Sequence, residues 1–216
     1  MVVDRPRQAR SQGVVRMIWA SPNERMEKIS SSTAKAYQVA VLGSARLDEN
    51  APEWSTAVEL GRLLAAGGAT VVTGGYGGLM GAVSRGAHEA HGHVVGLTMS
   101  AWTNLRPNEW VTEERASDDY GARVGALLDM DAVVALAGGV GTLSELAVVW
   151  AAAQTEPAAP AIVLLGEAWP RLLGAFRDEL VIDERDLALL RVAGTAAEAA
   201  EAALGGARMG HGLPRG

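Results

Sequence analysis

Apolar and polar positions fall into blocks along this chain, and the blocks have two lengths. Short, mostly apolar runs at Val39-Ala40-Val41-Leu42, Thr70-Val71-Val72-Thr73, His93 to Leu97, Ala132 to Leu136 and Ala161 to Leu165 read as strands buried on both faces. Longer segments with a helical period lie between them. Trp54, Ala57, Val58, Gly61, Leu64 and Ala65 mark one helix face. Further helices are predicted from Leu79 to near His91, from Asp118 to Leu128, from Thr142 to about Gln154 and from Trp169 to Leu180. Trp110 to Arg115 reads as a strand polar enough for a sheet edge. A weak strand near Val192 precedes an Ala/Glu-rich helix from Thr195 to Leu204. Strands alternating with helices predict an α/β fold, a Rossmann-like doubly wound parallel sheet forming one domain over residues 37–204.

Three of the strands run straight into small-residue turns: Gly43-Ser44-Ala45-Arg46, Gly74-Gly75-Tyr76-Gly77-Gly78 and Gly138-Gly139-Val140-Gly141. In a parallel sheet these turns share the carboxyl edge, where ligands of such folds sit. The third turn opens a helix whose first amides have no intrahelical acceptor and whose dipole places partial positive charge there. With glycines admitting a close approach, this is a cradle for phosphate that carries one carboxylate, Glu145. A purely structural reading fits the same residues: Thr142-Leu143-Ser144-Glu145 has the form of a capping box, as does Asn50 with Glu53 ahead of another helix. The convergence of three turns favours a nucleotide or sugar-phosphate pocket. Tyr76 and Met80 are placed to line it, although Met80 suits the core equally well.

Charge divides the chain. Residues 1–35 hold seven Lys/Arg against three Asp/Glu (+4), and the remainder twelve against twenty-two (−10). An acidic domain argues against a nucleic-acid surface. Residues 1–36 lack a sustained apolar period and are expected to be a disordered basic leader, and 205–216 a flexible tail. The chain has no cysteine, which removes disulfides, thiolate metal sites and cysteine nucleophiles. His88, His91 and His93 are clustered, but two sit at a helix end and one opens a strand, so no metal is expected. Arg46, Glu113 and Glu114 read as surface groups. No apolar run approaches the ~18 residues of a membrane span, and residues 14–20 are too short and charged for a signal core, so a cytoplasmic protein is expected.

The two longer glycine motifs resemble a known family. Ala137-Gly138-Gly139-Val140-Gly141-Thr142-Leu143-Ser144-Glu145 is similar to the PGGxGTxxE signature of the LONELY GUY (LOG) proteins, with alanine in place of proline. Thr73-Gly74-Gly75-Tyr76-Gly77-Gly78-Leu79-Met80-Gly81-Ala82-Val83 is similar to their GGGxxGLMGAVA segment, and Gly43-Ser44-Ala45-Arg46 to their first-strand loop. The resemblance spans about residues 38–180. It implies a Rossmann-like homodimer that hydrolyses cytokinin riboside 5′-monophosphates to free base and ribose 5-phosphate. Its relatives include broader nucleotide hydrolases and a carrier of the molybdenum cofactor. The family's catalytic arginine falls at Ala122 when counted back from Gly138. Arg123 is one residue on, about 100° around a helix.

The resemblance therefore implies Glu145 and Arg123 as catalytic residues. It implies Gly138, Gly139, Gly141, Thr142, Gly43, Ser44, Gly74, Gly75, Tyr76 and Met80 as the phosphate and nucleotide site. The expected activity is an N-glycosidase acting on AMP or a cytokinin ribotide, without a cofactor. The alternative is a nucleotide or pterin-cofactor carrier using the same cradle. Members are often labelled lysine decarboxylases, but a PLP enzyme needs a Schiff-base lysine. The only lysines here are Lys28 and Lys35, in the leader. The same absence removes a Walker A loop.

Overall fold

The computed structural model describes residues 36–209. The expected leader up to residue 35 and the end of the expected tail, 210–216, lie outside the described residues. Seven strands, β1 (Gln38–Leu42), β2 (Thr70–Thr73), β3 (Val94–Met99), β4 (Glu113–Ser117), β5 (Ala132–Ala135), β6 (Ala161–Leu165) and β7 (Leu190–Ala193), form one sheet in the order β4-β3-β2-β1-β5-β6-β7. Every pairing is parallel. The strand order reverses between β1 and β5, which makes the carboxyl edge of those two strands the topological switch point.

The inner strands are buried on both faces, as their unbroken apolar runs require. β4, with its polar run, lies at one edge. Alternate residues feed two cores. Val39, Val41, Val71, Val134 and Val163 pack under helices α1 (Pro52–Ala66), α2 (Leu79–Glu89) and α7 (Ala196–Met209). Ala40, Leu42, Val72, Val133 and Leu164 face the opposite layer. That layer holds α3 (Tyr120–Gly125), a 3-10 turn (Ala126–Asp129), α4 (Val140–Ala153) and α5 (Ala168–Glu179). α7 runs to Met209, five residues into the expected tail. A short helix, α6 (Glu184–Leu187), was not foreseen; Asp183 caps it in a full capping box.

Neither capping box expected from the sequence forms. α1 starts after Ala51 with no side-chain cap, because Asn50 is turned back onto the Asp48 carboxylate. Pro52 fills the first helical position, where its missing N–H costs nothing. α4 starts two residues earlier than expected, after Gly139, also without a side-chain cap. Thr142 and Glu145 therefore lie inside the helix.

Helices α1 and α2 approach to backbone contact through glycines. A Cβ on Gly86 would overlap the Val58 carbonyl, and one on Gly61 the Val83 carbonyl. Gly86→Ala is expected to cost about 1–3 kcal/mol by overpacking. A thermal melt should fall by several degrees; an unchanged melt would mean that the helix pair separates freely.

Candidate functional site

The carboxyl ends of β5, β1 and β2 bring their turns side by side, and backbone bonds join them. The Ser44 amide donates to the Ala137 carbonyl (3.0 Å), and the Leu79 amide at the start of α2 donates to the Ser44 carbonyl (2.8 Å). Gly43 and Gly78 permit this closeness. A Cβ at Gly43 would press on Leu79, and one at Gly78 would overlap Ser44 and Ala45, with φ at +68° besides. Gly138, Gly139, Val140 and Gly141 are exposed at the start of α4. Gly139 is the N-cap and supplies no side-chain acceptor, so the first amides of the helix face outward, as an anion cradle requires. Thr142 is not a cap. It is buried, and its side chain fills the space a Cβ on Gly138 would take.

Beneath this cradle lies the main charged feature. Asp119 caps α3 by accepting from the Ala122 amide (2.8 Å), and that start directs Arg123 inward while Ala122 stays exposed. Arg123 is only 8% exposed, as is Glu145. Its Nη1 donates to Glu145 Oε1 (2.5 Å) and its Nε to the Leu97 carbonyl at β3 (2.9 Å). The solvated helix-face arginine that the one-residue offset allowed is thus replaced by a buried ion pair. Burying two charges is costly, and the extra bond to Leu97 helps to offset it. Nε and Nη1 of Arg123 are thus engaged within the protein.

Gly74 is buried against this pair. A Cβ there would come within 2.7 Å of Arg123 Nη2 and would overlap the Met80 sulfur. Gly75 takes φ +79°, and its amide donates to Thr73 Oγ1 (3.1 Å). Tyr76 is buried, and its hydroxyl accepts from the Met99 amide (2.9 Å). Met80 is buried beside it. A hollow of about 10 Å³, room for about one water, lies among Thr73, Gly74, Arg123 and Glu145. A hollow of that size is far too small for a nucleotide.

Sequence reasoning missed three contributors. Asn108 binds the Gly75 carbonyl through its amide (2.7 Å) and side chain (3.1 Å), and the Tyr76 carbonyl (2.9 Å), so it holds the second glycine turn in shape. Pro107-Asn108 signals a turn, but nothing local names a partner over thirty residues away. Trp102 packs on Tyr76 with ring centroids 5.6 Å apart, and the Arg123 guanidinium lies 5.8 Å from its ring. Tyr120 shares a 2.6 Å hydrogen bond with the Ser144 hydroxyl, which also donates to the Gly141 carbonyl.

The weaker candidates lie elsewhere. Arg46 is exposed; only its backbone amide is bound, to Ser44 Oγ. His93 bonds Glu113 (2.8 Å) and Thr112 along the β3–β4 edge. Hydrogen bonds from Arg115, then His93, hold the Glu113 carboxyl below its usual range. Glu114, expected to be solvated, accepts from the Thr98 hydroxyl. His88 stands against Trp110. Trp150 is half-buried and donates to the Asp186 carbonyl. Among the described residues no group of three or more His, Asp or Glu is arranged for a metal, and no helix is long and apolar enough to cross a membrane.

Comparison with known proteins agrees with this fold. The chain is 40% identical over 103 residues to the probable cytokinin riboside 5′-monophosphate phosphoribohydrolase LOGL5 of Oryza sativa subsp. japonica. That match takes in 44% of this chain and only 41% of the rice protein. It is 33% identical over 115 residues to an uncharacterized protein of Archaeoglobus fulgidus, covering 53% of this chain and 74% of that one. Among solved structures, the molybdenum cofactor carrier protein of Chlamydomonas reinhardtii superimposes with a TM-score of 0.62. It is 26% identical, over 81% of this chain and 99% of that one. The molybdenum cofactor binding protein of Rippkaea orientalis, 23% identical with a TM-score of 0.61 over 77% of this chain and 94% of that one, shares the fold. Residues 36–165, which carry β1 to β6 and all three turns, match the SLOG cluster4 family (LDcluster4), and the chain belongs to that LOG-like family.

Proposed function

We propose that this protein hydrolyses the N-glycosidic bond of a nucleoside 5′-monophosphate, of the AMP or cytokinin-ribotide type, to free base and ribose 5-phosphate. The observation that carries this reading is the buried Arg123–Glu145 pair, whose carboxylate stands on the same helix, α4, that opens with uncapped amides. Loss of the base develops positive charge on the sugar ring, and the reaction needs an anion beside that centre, a placed water and a grip on the phosphate. Glu145 supplies the anion and orients the water. Arg123 fixes the Glu145 carboxylate in one direction. The amides of Gly139, Gly141 and Thr142 bind phosphate, with the Gly43-Ser44 and Gly74-Gly75 turns walling the mouth. Exposed Val140, Leu143 and Val148 on α4 offer an apolar face for the homodimer that the resemblance implies.

A second reading is a cofactor carrier of the kind named for the Chlamydomonas protein, supported by the likeness over four-fifths of the chain. Incubation with AMP and with a cytokinin ribotide, followed by chromatography, separates the two. Released base is the expected result. Tight binding with no base released after prolonged incubation would favour the carrier.

A further inference from the structure

β3 ends on the same carboxyl edge as the glycine turns, and the segment after it is held at both ends. The Trp102 amide donates to the Met99 carbonyl (3.1 Å), the Leu105 amide to the Trp102 carbonyl (2.9 Å), and Asn108 closes the far end onto Gly75. Trp102 therefore stands on a fixed turn. Its ring touches Tyr76 and lies over Arg123, which in turn holds Glu145. Yet Trp102 is 41% exposed, and residues 101–105 around it form a shallow face open to solvent. An indole left partly bare one guanidinium away from a buried carboxylate is costly to leave in water and suited to covering a flat ring.

We propose that Trp102 is the stacking platform for the base of a purine nucleotide, and the residue that makes this site prefer a fused bicyclic ring to a single ring or a bare sugar phosphate. The inference rests on the nucleotide reading above. β5, which leads into the phosphate cradle, and β3 are three strands apart, roughly 14 Å. Trp102 is linked to α4 through Arg123 and Glu145, so a phosphate on α4 would leave the ribose above Glu145 and the base on the indole. Stacking is sequence-tolerant but grows with ring area, which is why a purine gains more than a pyrimidine.

Calorimetric titration of the full chain with AMP, UMP and ribose 5-phosphate tests this, using Trp102→Ala and Trp102→Phe. Trp102→Ala should weaken AMP by about tenfold or more. It should change ribose 5-phosphate by less than about twofold, and Trp102→Phe should recover most of the loss. Equal weakening of AMP and ribose 5-phosphate by Trp102→Ala would overturn the proposal, since the indole would then be acting only through Arg123. Unmutated protein with no preference for AMP over ribose 5-phosphate would overturn it as well. The readout is binding, so its failure is separate from that of the hydrolase: selective loss of AMP in a protein that releases no base keeps the platform and removes the enzyme.

Discussion

Arg123→Ala is expected to cost about 3–5 kcal/mol of stability, because it leaves the Glu145 carboxylate buried with its cation removed. For a domain of this size that is roughly 6–20 °C in melting temperature. Arg123→Lys should recover only part of the loss. A lysine restores charge but cannot reach both Glu145 and the Leu97 carbonyl with one planar fork. The informative partner is the double change Arg123→Met with Glu145→Leu. Replacing both charges by apolar groups should return most of the stability, since buried ion pairs are often no better than well-packed hydrophobes. If that double variant is stable and binds AMP but releases no base, the pair is kept for function. If Arg123→Ala melts within a degree or two of the unmutated protein, the pair is not buried as described.

Glu145→Gln carries the second large effect, on turnover; its stability cost, from leaving the Arg123 cation buried without an anion, should be smaller than that of Arg123→Ala because glutamine still accepts from Nη1. Glutamine keeps the shape and an oxygen to accept from Arg123 Nη1, and Glu145 lies too far inside α4 to cap it, so the start of the helix is untouched. What is removed is the negative charge that, on the proposed reading, faces the sugar. Base release should fall by roughly 10²-fold or more, the scale of losing one electrostatic or general-base group. AMP binding should persist if, as proposed, amides hold the phosphate. Near-normal turnover in Glu145→Gln would remove Glu145 from the chemistry and leave it as the counter-ion of Arg123.

The parts of the fold that depend on neighbours in sequence were legible. Buried strands announce themselves as unbroken apolar runs, and the polar run of β4 put it at an edge. The three glycine turns could be assigned to one edge of the sheet because parallel order forces all carboxyl ends to the same side. What misled was local pattern without tertiary competition. Asn50 with Glu53 and Thr142 with Glu145 both spell a capping box, and neither forms. Asp48 captures Asn50, and Arg123, twenty-two residues away, captures Glu145. The orientation of Arg123 was equally hidden: it follows from the Asp119 cap two turns of logic upstream, not from counting back from Gly138. Asn108 and Trp102 gain their meaning only from partners across the sheet edge.

Ser44 joins the turns after β5 and β2, the first through its amide and the second through its carbonyl. No one of the three turns can therefore loosen alone without breaking a bond that belongs to another. Amide exchange at Ser44 and Leu79 is therefore expected to be coupled. A ligand arriving there meets backbone already ordered and forfeits little chain entropy on binding, which leaves more of its contact energy to appear as affinity.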